Sequence, residues 1–276
     1  MSSARNLVKF PDKLDRIIVK NNSLLCIGLD PEIEKLSPRK GFSFTGKGES
    51  LLEFSKWIID KTAKLVCAYK PNIAFFEAYG LEGLDQLKKI FLYLQNEYPQ
   101  IPIILDAKRT DIANSAKMYA KSMFDYWGAD ATTVYPHLGL DSIEPFLSYI
   151  NNYTFLLVKT SNLDSVTFQN LKTEKGPYYL ALAKEIKKWD RKNIGIFVGA
   201  TYPKELKGIR EIFPDKILLS AGVGAQGADL ERSVKAGVDK QKKGIIFNAS
   251  RSIIYAQDPA KAAQNLRDEI NEYRSI

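Results

Sequence analysis

The sequence predicts an α/β protein with one domain, residues 1–276, folded as a single-domain (β/α)8 TIM barrel. Eight short apolar runs recur along the 276 residues, and they are continuous rather than alternating, which is typical of parallel strands buried on both faces. Amphipathic segments such as "GLDQLKKIFLYLQNEY" lie between these runs. Eight strand–helix units in about 250 residues match the size of a closed barrel. A doubly wound open sheet is the alternative that the pattern leaves open.

The predicted strands follow one another at regular spacing. In chain order they are 24–29, 65–70, 101–107, 131–136, 154–160, 194–200, 216–222 and 244–250. One segment breaks the spacing, a glycine-bearing loop at 36–50 after the first strand. Loops of this length are usually functional or mobile, so a cover over the site is the expected role.

The charge of the chain favours anionic partners, because the net charge is +8 and the pI about 9.2. The basic residues are nevertheless mixed with acids, as in "KEIKKWDRK", and there is no arginine-rich tract. Nucleic-acid binders usually show a basic stripe with interleaved aromatic residues. We therefore expect a small anionic ligand and no nucleic acid.

The location expected from the sequence is the cytoplasm. The two cysteines, Cys26 and Cys67, each stand inside an apolar run, which predicts buried free thiols in a reducing compartment. The first residues lack a continuous apolar stretch typical of a secretory leader. No apolar run approaches the length of about 18 residues that a membrane span needs, so no membrane contact is expected.

Polar side chains stand where several predicted strands end, which is where (β/α)8 barrels place their active sites. Asp106 and Lys108 end the third apolar run, and Lys70 ends the second. Since side chains two apart on a strand point the same way, Asp106 and Lys108 are expected to face the barrel mouth together. A salt bridge is the simpler interpretation of Lys108. Alternating lysines and aspartates in a dry site also hold charges in place for catalysis.

Asp111 follows where the chain turns into the helical pattern "IANSAKMYAKSMF". A helix cap or helix-dipole partner is the simpler interpretation of its carboxylate, and a further member of the charged array is the functional one. By strand alternation, Arg109 is expected to point away from the mouth. Lys117 is expected to lie on the solvated face of the helix.

The segment "SAGVGAQGAD" at 220–229 indicates a phosphate site. Its three glycines allow backbone N–H groups to approach an anion, and the loops after strands seven and eight commonly bind phosphate in barrels. Arg251, after the eighth run, is placed to clamp that phosphate. A left-handed turn with a surface arginine is the alternative.

Two further features carry less weight. "GFSFTGKG" at 41–48 matches part of a P-loop, but Gly48 stands where the P-loop needs Ser or Thr, and no strand precedes it directly. A lid is the better interpretation, and a P-loop-like nucleotide-binding regulator is the alternative from a different class.

His137 is the only histidine. It is interpreted as a loop residue, and no metal cluster is expected around it.

Segments along the whole chain resemble one enzyme family, the orotidine 5′-phosphate decarboxylases, and specifically their second subfamily (type 2). The similar segments are "IGLDPE", "AYKPNIAFFEAYG", "ILDAKRTDIANSA", "LVKTSN", "FVGATYP", "AGVGAQG" and "NASRSI". The third of these fits the family signature D-x-K-x-x-D-I. Ala221 and Leu163 stand where the family commonly has proline, which bears on loop rigidity and not on the reaction.

The resemblance implies decarboxylation of orotidine 5′-phosphate to UMP and CO₂, the last step of UMP synthesis, with no cofactor and no metal. Lys108 would donate a proton to C6 of the pyrimidine, Asp106 would lie against the substrate carboxylate, and Lys70 would orient it and bind the ribose. Asp111 would reach the neighbouring active site of a homodimer. The implied substrate-binding residues are Asp30, Asn72 and Ser115 near the ribose, Thr160 and Ser161 at the base, and Gln226 and Arg251 at the phosphate.

One alternative enzyme class stays open from the residues. A related barrel decarboxylase or epimerase acting on a sugar phosphate would share the phosphate loop and the strand-end acids. Such an enzyme would usually need Mg²⁺, so its activity would depend on the metal.

Overall fold

Eight parallel strands form one sheet in the computed structural model of the chain, which describes residues 8–37, 50–222 and 229–275. Each strand overlaps one of the predicted apolar runs. We number the strands β1 (Leu25–Leu29), β2 (Ala68–Pro71), β3 (Ile104–Arg109), β4 (Ala131–Val134), β5 (Tyr153–Lys159), β6 (Ile194–Gly199), β7 (Leu218–Ala221) and β8 (Ile245–Ala249).

The sheet closes into a barrel. Its strand order is β2-β1-β8-β7-β6-β5-β4-β3, so β2 and β3 stand at the two ends of the order. These two strands meet through parallel bridges between Tyr69 and Ile103 and between Asn72 and Asp106. The Tyr69 amide donates to the Pro102 carbonyl at 3.0 Å across the same junction. The predicted (β/α)8 barrel is therefore confirmed, and the open-sheet alternative is wrong.

Helices surround the barrel and connect its strands. They are α1 (Phe10–Asn21), α2 (Ser50–Thr62), α3 (Ala74–Glu77), α4 (Gly80–Glu97), α5 (Ala113–Lys121), α6 (Leu140–Leu147), α7 (Ser165–Gln169), α8 (Tyr178–Lys188), α9 (Pro203–Ile212), α10 (Leu230–Gly237), α11 (Arg251–Ile254) and α12 (Pro259–Ser275). A 3₁₀ turn at Ile33–Lys35, a π-helical turn at Ser122–Tyr126 and a small hairpin of Lys172–Thr173 with Gly176–Pro177 complete the description. No helix of the described ranges is long and apolar enough to cross a membrane.

Amphipathic helices pack against the outside of the sheet through their apolar faces. In α4, Leu87, Ile90, Phe91 and Leu94 recur at helical spacing and are completely buried. Burial of such side chains stabilises the fold by about 1.5–3 kcal/mol each. Both cysteines are also free and buried, as predicted.

The barrel interior is filled by aromatic side chains near its amino-terminal end. Phe10 of α1 stacks on Tyr153 with ring centres 5.1 Å apart and meets Phe155 edge-on at 5.8 Å. Gly195 on β6 lies against the same two β5 rings, since a Cβ there would be 2.5 Å from Phe155 Cδ1 and 2.6 Å from Tyr153 Cε1. Only glycine leaves room for these rings, and α1 closes this end of the barrel. The opposite, carboxyl-terminal end is the open one that holds the polar strand ends.

Gly195→Ala is expected to destabilise the protein by about 1–3 kcal/mol, because the added methyl overpacks the aromatic layer. Gly208→Ala is the matched control: its Cβ would meet only Leu180 at 3.7 Å inside α9, where alanine favours the helix by about 1 kcal/mol. Urea unfolding of both variants measures the difference. Equal stability of the two variants would contradict the account of the interior.

Candidate active site

Three charged side chains meet at the carboxyl-terminal end of the barrel. Asp106 on β3 accepts a hydrogen bond from Lys70 Nζ of β2 at Oδ2, at 2.7 Å. Its other oxygen, Oδ1, accepts from Lys108 Nζ at 2.6 Å. The structure therefore brings together the three strand-end residues that the sequence indicated.

The shared carboxylate is held ionised although it is only 4% exposed. Burial alone would raise the pKa of Asp106, but Lys70 and Lys108 together hold this pKa well below its usual range. Burial alone would likewise lower the pKa of Lys70, and Asp106 and Asp30 raise it above its ordinary value instead. Asp106 and Lys70 therefore stay ionised in a buried site, where fixed charges can stabilise a transition state.

Thr133 on β4 supports the array and was not singled out from the sequence. Its hydroxyl donates to Asp106 Oδ1 at 2.7 Å and accepts from the Lys108 amide at 3.0 Å. The available signal was the register of "ATTVYP", which places a threonine inside the barrel beside the third strand end. Thr133 fixes both the carboxylate and the backbone that carries the lysine.

Lys108 reaches the mouth through an irregular backbone rather than through plain strand alternation. Its φ is +49°, in the left-handed region that non-glycine residues rarely adopt. The β3–β4 register shifts between Leu105 and Arg109, which marks a bulge. Arg109 pairs with Glu77 of α3 and lies beside the Tyr119 ring, in line with the expectation that it points away from the mouth.

Asp30 lies just after β1 and faces the same array. Burial raises the pKa of its carboxyl, while Lys70 and a hydrogen bond with Ser250 act in the opposite direction. Asp30 Oδ1 is buried and has no hydrogen-bond partner among the described residues. Gly28 is required beside it, because a Cβ there would lie 2.9 Å from Ser250 Cβ. An orphan acceptor of this kind is suited to a ligand hydroxyl.

The remaining predicted residues of this half of the mouth are close by or on its rim. Asn72 bridges to Asp106 in the β2–β3 junction, and its Oδ1 accepts from the Ala74 amide at 3.1 Å. Ser115 is exposed on α5. Asn72 therefore lies within the array, and Ser115 lies on the rim.

Asp111 does not cap helix α5. The helix begins at Ala113 with Ile112 as its N-cap, and Asp111 Oδ1 accepts from the Ile112 amide at 2.7 Å. The expectation that this aspartate starts the helix is therefore wrong by one position. The carboxylate lies half-buried beside exposed residues at the rim.

Thr160 and Ser161 follow β5 on the other side of the mouth. The Thr160 amide donates to Gln169 Oε1 at 2.9 Å, and Ser161 packs so closely on β6 that a Cβ at Gly199 would be 2.7 Å from its Cα. The side chain of Lys159, the last residue of β5, does not lie beside them. The β5–β6 register shifts between Leu157 and Lys159, and the lysine turns outward towards the helices.

Only part of the predicted phosphate site lies within the described residues. Arg251 opens α11 directly after β8 and is exposed. β8 pairs with β7 up to Asn248 and Ala221, so Arg251 and the end of β7 lie at neighbouring strand ends. Gln226 and most of the glycine-rich segment lie outside the described residues, as does the 41–48 motif.

His137 takes part in an aromatic stack rather than in a metal site. Its ring lies between Tyr135 at 5.7 Å and Tyr178 at 5.9 Å, and Nδ1 is 3.0 Å from the Tyr178 hydroxyl. Burial lowers the pKa of this histidine. Among the described residues, no group of three His, Cys, Asp or Glu side chains could hold a metal ion.

The fold and the site define a class, a (β/α)8-barrel enzyme with a buried array of alternating charges at the carboxyl ends of its strands. A family model described as the orotidine 5′-phosphate decarboxylase / HUMPS family matches residues 23–266. The chain therefore belongs to this family.

Individual relatives agree with that assignment. An orotidine 5′-phosphate decarboxylase from Cellvibrio japonicus is 43% identical over 277 residues, covering 97% of this chain and 100% of the relative. One from Ralstonia pickettii (strain 12J) is 41% identical with the same coverage. The solved structure of the OMP decarboxylase from Leishmania donovani is 36% identical, covers 98% of this chain and 100% of that one, and has a TM-score of 0.85.

Asp30→Asn is expected to stabilise the ligand-free protein at about pH 7. The folded state raises the pKa of this carboxyl above its ordinary value of 3.8, so the unfolded chain ionises first and the ionised group opposes folding at neutral pH. Near about pH 3 both states are protonated, and the gain should vanish. Urea unfolding at the two pH values measures it.

Asp85→Asn serves as the control for this prediction, because the Asp85 side chain is 61% exposed and pairs with Lys89 of its own helix. Little change is expected there at either pH. A loss of stability in Asp30→Asn at neutral pH would contradict the assignment of an unfavourable buried charge.

Proposed function

We propose that the chain decarboxylates orotidine 5′-phosphate to UMP and CO₂, the final step of pyrimidine nucleotide synthesis, without a cofactor. The observation that carries the proposal is the Lys70–Asp106–Lys108 array, in which one buried carboxylate is shared by two ammonium groups. This reaction leaves a localised carbanion on the pyrimidine ring, so the protein itself must supply the stabilising charge. The array is a preformed source of it.

Lys108 is the proton donor in this mechanism. The bond between C6 and the carboxylate breaks, its electron pair stays on C6, and a proton from the Lys108 ammonium moves to that carbon. The lysine is left as a neutral amine, which solvent reprotonates after product release. A general acid held at the reacting atom contributes about 10²–10⁴-fold. The left-handed backbone at Lys108 positions the ammonium for this step.

Asp106 and Lys70 prepare the site for the departure of CO₂. Asp106 lies against the substrate carboxylate, where two like charges oppose each other until CO₂ leaves, and this strain is relieved in the transition state. Lys70 keeps Asp106 ionised and in place, and its remaining donors bind the ribose. Asp30 accepts from the ribose hydroxyls through its orphan Oδ1, with Asn72 and Ser115 nearby. Thr160 and Ser161 meet the base.

The phosphate is bound far from the reacting carbon. Arg251 clamps it from the start of α11, and Gln226, which lies outside the described residues, is the second proposed phosphate contact. Binding energy from this distant group can be used at the reacting carbon and so raises the rate of the chemical step. The net charge of +8 further favours capture of the anionic substrate from solution.

The working unit is proposed to be a homodimer in the cytoplasm. Asp111 lies at a rim where Ile112 is 57% exposed, Met118 65% and Leu138 50%. Exposed apolar side chains favour a protein interface, and a second copy there would bring Asp111 to the neighbouring active site. Each site would then contain charges from two subunits.

Lys108→Ala is expected to lower kcat for orotidine 5′-phosphate by at least about 10³-fold, because it removes both the proton donor and a charge beside the carbanion. The decrease in ultraviolet absorbance of the substrate measures the rate. Lys188→Ala, at a 61% exposed side chain paired with Glu185, is the control and should keep the wild-type rate. A near-normal rate in Lys108→Ala would refute the mechanism.

The same assay in the presence of EDTA separates the decarboxylase from a magnesium-dependent enzyme acting on a sugar phosphate. Unchanged turnover of orotidine 5′-phosphate supports the cofactor-free reaction. Loss of activity that Mg²⁺ restores would favour the alternative.

Mixing inactive Lys108→Ala and Asp111→Ala subunits is expected to restore activity. In a mixed dimer, one of the two sites combines wild-type Lys108 from one subunit with wild-type Asp111 from its partner. Random mixing gives about half mixed dimers, each with one intact site, so roughly a quarter of the wild-type specific activity should return. No recovery, after native mass spectrometry has shown subunit exchange, would refute the shared site.

A further inference from the structure

Lys159 is a completely buried cation that the mechanism above does not use. It ends β5 and is 0% exposed. Its Nζ donates to Ser165 Oγ and to Asn170 Oδ1, each at 3.0 Å. No carboxylate within the described ranges lies at ion-pair distance from it. Glu205 acts on the ammonium only from beyond ion-pair distance and does not offset the effect of burial, which lowers the pKa of Lys159. Burying an ammonium without a directly paired acid is costly, so this lysine needs an explanation that the fold alone does not supply.

Aromatic rings take the place of the missing carboxylate. Nζ lies 4.6 Å from the centre of the Tyr202 ring and 6.0 Å from that of Tyr179, distances at which a cation is attracted to the ring face. The Tyr202 hydroxyl is 3.3 Å from Ser165 Oγ and donates to the Asn162 carbonyl at 3.2 Å. Lysine and tyrosine therefore bind the same short stretch of chain.

That stretch, residues 160–170, is the segment that leaves the mouth of the barrel after β5. Lys159 binds it at Ser165 and Asn170, at the two ends of α7. Within the same segment, Gln169 Nε2 donates to Thr160 Oγ1 at 2.9 Å, and Thr160 Oγ1 donates to Asn162 Oδ1 at 2.7 Å. The segment is folded back on its own first residue.

The bulge at the end of β5 connects this network to the active site. The register shift between Leu157 and Lys159 turns Lys159 outward, and Ser161 then packs directly on Gly199 of β6. We propose that Lys159 is a positioning residue for the base-binding side of the active site: its ammonium, bound to Ser165, Asn170 and Tyr202, fixes the 160–170 segment so that Thr160 and Ser161 meet the pyrimidine. The inference rests on the proposed contact of these two residues with the base.

Lys159→Met tests the proposal, because methionine fills a similar volume without the charge. Two dissociation constants are measured by calorimetry, for UMP and for ribose 5-phosphate, which has no base. The affinity for UMP is expected to fall about tenfold, while that for ribose 5-phosphate stays unchanged. The value of kcat/KM should fall by up to about 10²-fold, since a small misplacement of a binding group can cost that much.

Lys13→Met is the matched control. Lys13 is a largely buried lysine, with a side chain 19% exposed, and it pairs with Asp130 at 2.8 Å at the opposite end of the barrel. Its loss should lower stability and leave both dissociation constants unchanged. Asn170→Ala, which removes one acceptor of Lys159 and keeps the charge, should weaken UMP in the same direction by a smaller factor and covers the case that Lys159→Met does not fold.

Three outcomes separate the possibilities. Loss of UMP affinity alone in Lys159→Met supports the positioning role. Equal loss for UMP and ribose 5-phosphate, or no loss for either, overturns it. Ser161→Ala distinguishes the two levels of the argument: if it weakens UMP and Lys159→Met does not, the positioning role fails while the base contact stands. If neither variant weakens UMP, both fail.

Discussion

The sharing of one buried carboxylate by two lysines is the constraint on which the rest of the site depends. Asp106 alone, at 4% exposure, would be expelled into water or protonated. With Lys70 and Lys108 at 2.7 and 2.6 Å it stays charged, and each lysine in turn has a fixed partner. Removing Asp106 would leave two ammonium groups without their shared carboxylate. The barrel excludes water from these groups, and the lower local dielectric constant strengthens the electrostatic interactions between them.

The ends of β3 and β5 both depart from regular strand geometry, and each irregularity sets the direction of a lysine side chain. At the end of β3 a shifted register and a left-handed residue turn Lys108 into the mouth. At the end of β5 a similar shift turns Lys159 out of it. A left-handed non-glycine residue is strained by about 1–3 kcal/mol and persists only where its surroundings impose it. Thr133, which holds the Lys108 amide, is part of those surroundings.

The sequence predicted the barrel because its eight short apolar runs and the apolar stripes of its helices reflect which residues are buried. It also predicted that Asp106, Lys108 and Lys70 meet, because strand ends in a barrel converge. It could not predict the bulges, since alternation assumes a regular strand. For that reason alternation predicted the position of Lys108 without the bulge and the left-handed backbone that produce it. The N-cap of α5 was missed because Ile112, an apolar residue, occupies it.

The place where the barrel closes is also the place where its charges meet. Within the described strands, β2 and β3 are joined by isolated bridges, whereas β1–β2 and β3–β4 each form a ladder of at least three residue pairs. One of those bridges pairs Asn72 with Asp106, and the Lys70–Asp106 ion pair crosses the same junction. The ion pair thus links, through side chains, two strands whose backbones are paired by isolated bridges. Separation of β2 from β3 would pull Lys70 away from Asp106. The charged array of the active site therefore requires that the barrel stays closed at this junction.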